Sequence, residues 1–175
     1  TPIPPRPPEG FVLGASVQSA QLAAQSDWNF IFAAHLNGDR ALLRDVLSFW
    51  QTHSTRLTIV AVQVIVADSN DTAAQLAENV QIWGVELENG QRVTVASEEQ
   101  ALAFAAQAGS PPRKIARREQ ALLHGTAHDV LAKLNALHTQ FGINEFIIDT
   151  PVAEGHARLT SLRLLAQAHN AVEVI

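Results

Sequence analysis

Apolar and polar positions along this chain change in blocks. Phe11-Val12-Leu13 is a short apolar run that stops at Gly14, and it predicts a buried strand. Ala20, Leu22, Ala23 and Ala24 follow at helical spacing. Phe30-Ile31-Phe32-Ala33-Ala34 predicts a second buried strand. Asn37-Gly38-Asp39 reads as a turn, with Asp39 as N-cap of a helix carrying Leu42, Leu43, Val46, Leu47 and Trp50. The strongest strand signal is Leu57–Ala67, "LTIVAVQVIVA", apolar on both faces as in a parallel sheet. A helix then starts in Asp68-Ser69-Asn70-Asp71 and runs through Ala77.

The middle has another texture. Asn89-Gly90 between β-prone flanks is a hairpin signal, and Ser97-Glu98-Glu99-Gln100 is a capping box that opens an Ala-rich helix. Gly109-Ser110-Pro111-Pro112 breaks that helix. The basic run Arg113–Arg118 reads as a solvated helix face. Thr126 caps a helix with Val130, Leu131, Leu134 and Leu137, closed by Gly142. Phe146-Ile147-Ile148 predicts a fourth buried strand, and a last helix carries Leu159, Leu162, Leu164 and Leu165. Buried strands alternating with helices predict a single α/β domain, residues 1–175, with a parallel sheet and right-handed crossovers. Four such units make half of an eight-unit barrel or a small open sheet, and periodicity does not separate the two.

Composition narrows the picture. The chain has 175 residues, 47% of them hydrophobic, and a formal charge of −5, which predicts a folded domain and argues against nucleic acid or an anionic membrane as partner. There is no cysteine, hence no thiol chemistry. No apolar run is long enough to span a bilayer and no signal segment is in view, so the expected setting is the cytoplasm. Methionine is absent too, and residues 1–10 form a proline-rich lead. The expectation is a processed chain or a piece of something longer.

The chemistry concentrates where the first strand meets the first helix. In parallel α/β folds ligands sit at the C-terminal ends of strands. There Gly14 permits close backbone approach, and Ser16 and Ser19 add hydroxyls to the free amides of a helix start, a setting that favours an anion. Ser16 is equally read as an ordinary cap. His35 follows the second strand, where it would line a ligand pocket with Asn37, in a pKa range suited to proton handling. The other histidines lack ligand spacing, so no metal site is expected. Trp28, Trp50 and Trp83 read as core or interface. No phosphate-binding Walker loop, nucleophile elbow or dinucleotide glycine triplet occurs.

Three stretches carry a resemblance. "GFVLGASVQSAQLAAQSDWNFIFAAHLNGD", "VIVADSNDTAAQLA" and "HGTAHDVLAKLNALHTQFGINEFIIDT" together resemble, in order, the second half of the bacterial luciferase-like flavin-dependent monooxygenases. The resemblance implies a (β/α)8 TIM barrel of which this chain is the C-terminal half, strands five to eight. It implies FMN as cofactor, often supplied reduced by a partner flavin reductase, with O2 as co-substrate. It places the flavin phosphate at Gly14, Ala15, Ser16 and Ser19. It makes Gly84–Arg118, a hairpin and helix, a lid whose basic residues close over the anionic flavin. Two departures stand out: the luciferases proper have an acid where Ala15 stands, and the family's N-terminal half has no counterpart here. The chain alone is therefore expected to be inactive, completed by an N-terminal companion chain or by self-association into an oligomer. A non-catalytic half-barrel that binds a phosphate or flavin, or serves assembly, is the alternative.

Overall fold

The computed structural model describes residues 8–35, 38–80, 82–118 and 121–172; most of the proline-rich lead and Asn37 lie outside them. The elements are β1 (Phe11–Gly14), α1 (Val17–Gln25), β2 (Asn29–Ala33), α2 (Arg40–His53), β3 (Ile59–Val66), α3 (Asn70–Glu78), β4 (Ile82–Leu87), β5 (Arg92–Val95), α4 (Glu98–Gln107), β6 (Pro112–Arg118), β7 (Leu122–Gly125), α5 (Ala127–Phe141), β8 (Glu145–Asp149) and α6 (Gly155–Val172). They divide into two compact units, Thr1–Val62 with Lys133–Asp149, and Gln63–Ala132 with Thr150–Ile175. Both β3 and α5 run through the two.

In the first unit β1, β2 and the start of β3 are parallel, with Val12 opposite Phe30, Leu13 opposite Ile31 and Phe32 opposite Val60. Val12, Phe30, Phe32 and Val60 thus share one sheet face, and Phe11, Leu13, Ile31 and Ile59 the other. On the first face Phe30 meets Trp50 of α2 at 5.5 Å between ring centroids. Trp50 is fully buried and donates from Nε1 to the Leu57 carbonyl at 3.0 Å, so its polar edge is satisfied. Asp39 caps α2 as expected, its carboxylate accepting from the amides of Ala41 and Leu42. Asn144 ties the start of β8 to β3: its Oδ1 accepts from the Thr58 amide at 2.8 Å, and its own amide donates to the Thr58 carbonyl.

Two strand expectations need correction in burial. The strands at Phe11–Leu13 and Phe146–Ile148 form, but Phe11 is 48% exposed, Leu13 55% and Ile147 41%. The reason is position. An apolar run predicts burial only if both sheet faces are covered, whereas β1 ends the strand order.

In the second unit the latter half of β3 pairs in parallel with β7, Gln63 opposite Leu122 through Val66 opposite Gly125. The four-residue β7 is absent from the sequence expectation because so short a run has no readable period. The Val66 amide donates to the buried Ser161 Oγ of α6 at 2.8 Å. Asn70 joins the starts of α3 and α5, accepting from the Thr126 amide and donating to Asp129. Gly125 has φ +146°, and a Cβ there would lie 2.8 Å from Asn70 Oδ1, so no other residue fits this join.

Residues 82–118 form an antiparallel sheet in the order β5-β4-β6 with α4. The Asn89-Gly90 hairpin is present, with Gly90 at φ +86°. Ser97 caps α4 by accepting from the Gln100 amide. Arg113–Arg118 is the outer strand β6 rather than a helix face. Its lone large apolar side chain, Ile115, packs on a small core of Val85, Leu87, Ala101 and Ala105. Strand pairing and that one contact override the absence of a local strand signal. Its charges suit an edge strand, where they deter further pairing.

The start of α6 yields a pH prediction. Glu154 accepts from the amides of Ala157 (2.6 Å) and His156 (2.8 Å), and these bonds, Ala157 first, hold its carboxyl below the usual glutamate range. A carboxylate with a depressed folded pKa contributes stability above its unfolded pKa, roughly 4.3. That contribution is lost as pH falls through the folded pKa. Urea midpoints of the native chain and Glu154→Gln should therefore differ at neutral pH and converge only at acid pH, once the folded-state carboxyl is protonated. A difference constant down to acid pH would remove the cap from the explanation.

Candidate functional site

The site begins with the turn out of β1. Gly14 ends the strand, and Ser16 takes extended backbone angles (φ −145°, ψ 157°) as N-cap of α1. Its Oγ accepts from the Ser19 amide at 3.2 Å and lies 3.0 Å from Ser19 Oγ. The capping role read from the sequence is thus in place. Capping leaves donors over, however. Of the two hydroxyls that share one hydrogen bond, one keeps its proton free. The amides of Val17 and Gln18 sit in the first turn, where the helix supplies no acceptor. That turn contains no acidic residue, so nothing repels an anion brought to it.

Gly14 is what makes room. A Cβ at this position would stand 2.5 Å from both Cβ and Oγ of Ser19, so any side chain would displace that hydroxyl. Ala15 is half-buried and adds no charge. Gly14, Ala15, Ser16 and Ser19 therefore form one group at a strand end, rich in donors and free of carboxylates. Its donor set fits a phosphate.

His35 follows the C-terminal end of β2, the strand beside β1. Its backbone amide donates to the Ala61 carbonyl at 3.3 Å. Its ring Nδ1 is buried and has no hydrogen-bond partner among the described residues. A buried polar atom left unpaired costs about 1–3 kcal/mol, which gives this imidazole a reason to meet a ligand. The structure thus sets Ser16, Ser19 and His35 on the ends of adjacent parallel strands in the first unit; Asn37 is outside the described residues. In the second unit Thr150, just past β8, is 8% exposed, and its Oγ1 has no partner among the described residues. The sequence puts Asp149-Thr150 at the end of the fourth strand, on the ligand side, without assigning either residue a role.

Among the described residues no group of three or more His, Asp or Glu side chains stands close enough to hold a metal ion, and no helix is long and apolar enough to cross a membrane.

No protein-family model matches the chain. It is 29% identical over 167 residues to N-acetyl-S-alkylcysteine monooxygenase of Bacillus subtilis (strain 168), covering 93% of this chain and 50% of that protein. Among solved structures, apo-MsnO8 matches with a TM-score of 0.68 at 19% identity, over 96% of this chain and 53% of that one. The oxygenating constituent of 3,6-diketocamphane monooxygenase from Pseudomonas putida, a type II Baeyer-Villiger monooxygenase in complex with FMN, matches with a TM-score of 0.55 at 16% identity, over 93% of this chain and 49% of that one. The chain spans about half the length of the relatives it matches. The fold, parallel strands with six helices, is shared with monooxygenase structures.

Proposed function

We propose that this chain is the C-terminal part of a luciferase-like flavin-dependent monooxygenase that uses reduced FMN and O2. The observation that carries the proposal is the Gly14–Ser19 cradle: two hydroxyls and two free amides at the end of a parallel strand, with space kept by a glycine. A flavin phosphate is the anion that fits this reading. Support comes from the names of the relatives, which are monooxygenases, and from the FMN complex among them.

In this reading the hydroxyl of the Ser16–Ser19 pair that keeps its proton donates to a phosphate oxygen together with the amides of Val17 and Gln18, and the other hydroxyl holds it in place. Ala15 keeps negative charge away from the phosphate. His35, with its unpaired Nδ1, and Asn37 face the flavin ring or substrate. Residues 84–118 serve as a lid, and the remaining barrel strands come from a companion chain or a second copy. When bound, reduced flavin supplies the electrons for activating O2; the residues of this chain bind, orient and exclude water. A flavin reductase is the expected source of the reduced cofactor.

The test is flavin binding followed by turnover. The assembled protein should bind FMN, seen as quenched flavin fluorescence. With reduced FMN and air it should oxygenate a thioether such as an N-acetyl-S-alkylcysteine. FMN binding without turnover of any candidate would favour the non-catalytic module, and absence of FMN binding would end the flavin reading.

A further inference from the structure

The β5-β4-β6 sheet carries a second group of residues suited to an anion, none of them shared with the cradle. Helix α4 packs on the sheet face of Val85, Val93 and Ile115. On the opposite face the register sets Arg92, Glu86 and Lys114 in one row across the three strands. It sets Thr94, Gly84 and Ala116 in another. The second row is almost without side chains. A hollow of about 310 Å³ opens there, lined by Gly84, Glu86, Arg92, Lys114, Ala116 and Arg117 among others.

A bulge adds to the charged row. Glu86 lies opposite Lys114 and Leu87 opposite Pro112, so Arg113 is an extra residue in β6. Such a residue breaks the alternation and re-aims its side chain. Arg113 Nη1 reaches 3.6 Å from Glu86 Oε1, the oxygen that Arg92 Nη2 already approaches at 3.2 Å. One carboxylate thereby orders two guanidinium groups. Lys114 makes no ion pair with any described residue, so the one carboxylate of Glu86 is divided between Arg92 and Arg113. Repelling another strand would account for charges along β6. It would account for Arg92 on β5, the other edge, as well, but not for the bulge or for the row of small residues beside the charges.

We infer that this face binds a small dianion of the phosphate-ester or pyrophosphate class. The empty row of Gly84 and Ala116 receives the anion, Arg92 presents a planar donor held in place by Glu86, Lys114 supplies point charge, and Arg113 adds its charge from beside the hollow. The volume exceeds that of one phosphate group and lies at the low end of ligand pockets, which favours an ester or a diphosphate over free phosphate.

Calorimetric titration of the full chain with inorganic pyrophosphate at about 0.15 M salt, where long-range charge effects are screened, tests it. Saturable binding is expected, weakened at least tenfold in the double variant Arg92→Gln, Lys114→Gln. Ala116→Leu keeps every charge but fills the hollow, and it should weaken binding as much. Arg163→Gln, an exposed cation of α6, should leave it unchanged. The inference is overturned by an absence of saturable binding, by equal loss in Arg163→Gln, or by undiminished binding in Ala116→Leu. Capture of an acidic peptide without any affinity for pyrophosphate would overturn it too.

Discussion

Sedimentation of the purified chain at micromolar concentration is expected to show an assembly rather than a monomer. The cause is the sheet of the first unit. Phe11 (48% exposed) and Leu13 (55%) lie on the same face as the half-buried Ile31, because Leu13 and Ile31 are register partners. On β8, Ile147 is 41% exposed. At about 25 cal/mol per Å2, leaving several hundred Å2 of apolar surface in water costs on the order of 10 kcal/mol, as much as the entire stability of a typical domain. The outer strands of the chain also differ in character. Edge strand β6 reads "PRKIARR", with a proline and four cations that discourage pairing, whereas β1 reads "FVLG" and has neither. A strand left unguarded in a chain that guards another is one that is normally covered. A companion chain supplying further strands, or a second copy, provides that cover. A cooperative, well-folded monomer at this concentration would refute the prediction, and mass analysis of the assembly identifies which partner is present.

Local chemistry made much of the fold legible. Asp39, Ser69 and Ser97 cap the helices that they announce, and each accepts from amides two or three residues on. Asn89-Gly90 specifies its hairpin because a tight turn there needs positive φ, which Gly90 has. Leu57–Ala67 gives β3 because only a strand covered on both faces tolerates apolar residues at almost every position, Gln63 being the exception within β3. What stayed hidden depends on distant partners. Strand β7 exists because β3 offers a second edge to Leu122–Gly125. Strand β6 exists because β4 pairs with it and α4 receives Ile115. Four residues, or one apolar residue among charges, hold no period that reveals either.

The candidate site divides the same way. Ser16 as a cap was legible because capping is a local act. The unpaired Nδ1 of His35 and Oγ1 of Thr150 were not, since whether a polar atom is left without a partner is decided by packing around it. Gly14 lies between the two cases. Its place before the serines marked it, but only the geometry shows that Ser19 occupies the space its Cβ would take.

That geometry gives the second large effect, a loss of affinity specific to the phosphate. Ser19→Ala should weaken FMN binding by about 1.5–3 kcal/mol, the worth of a hydrogen bond to a charged group, or roughly 10- to 150-fold. Ser16→Ala should do likewise and, because Ser16 also caps α1, should lower stability by about 1 kcal/mol. The double variant should lose less than the sum, since the two hydroxyls lie 3.0 Å apart and share a bond. Gly14→Ala keeps both hydroxyls yet brings a Cβ within 2.5 Å of Ser19 Oγ, so it should match Ser19→Ala in FMN affinity. Riboflavin, which lacks the phosphate, is the control. Its affinity should be unchanged in all these variants while that of FMN falls toward it. If riboflavin and FMN lose affinity equally, the serines act on the shape of the pocket, and the phosphate must be held elsewhere.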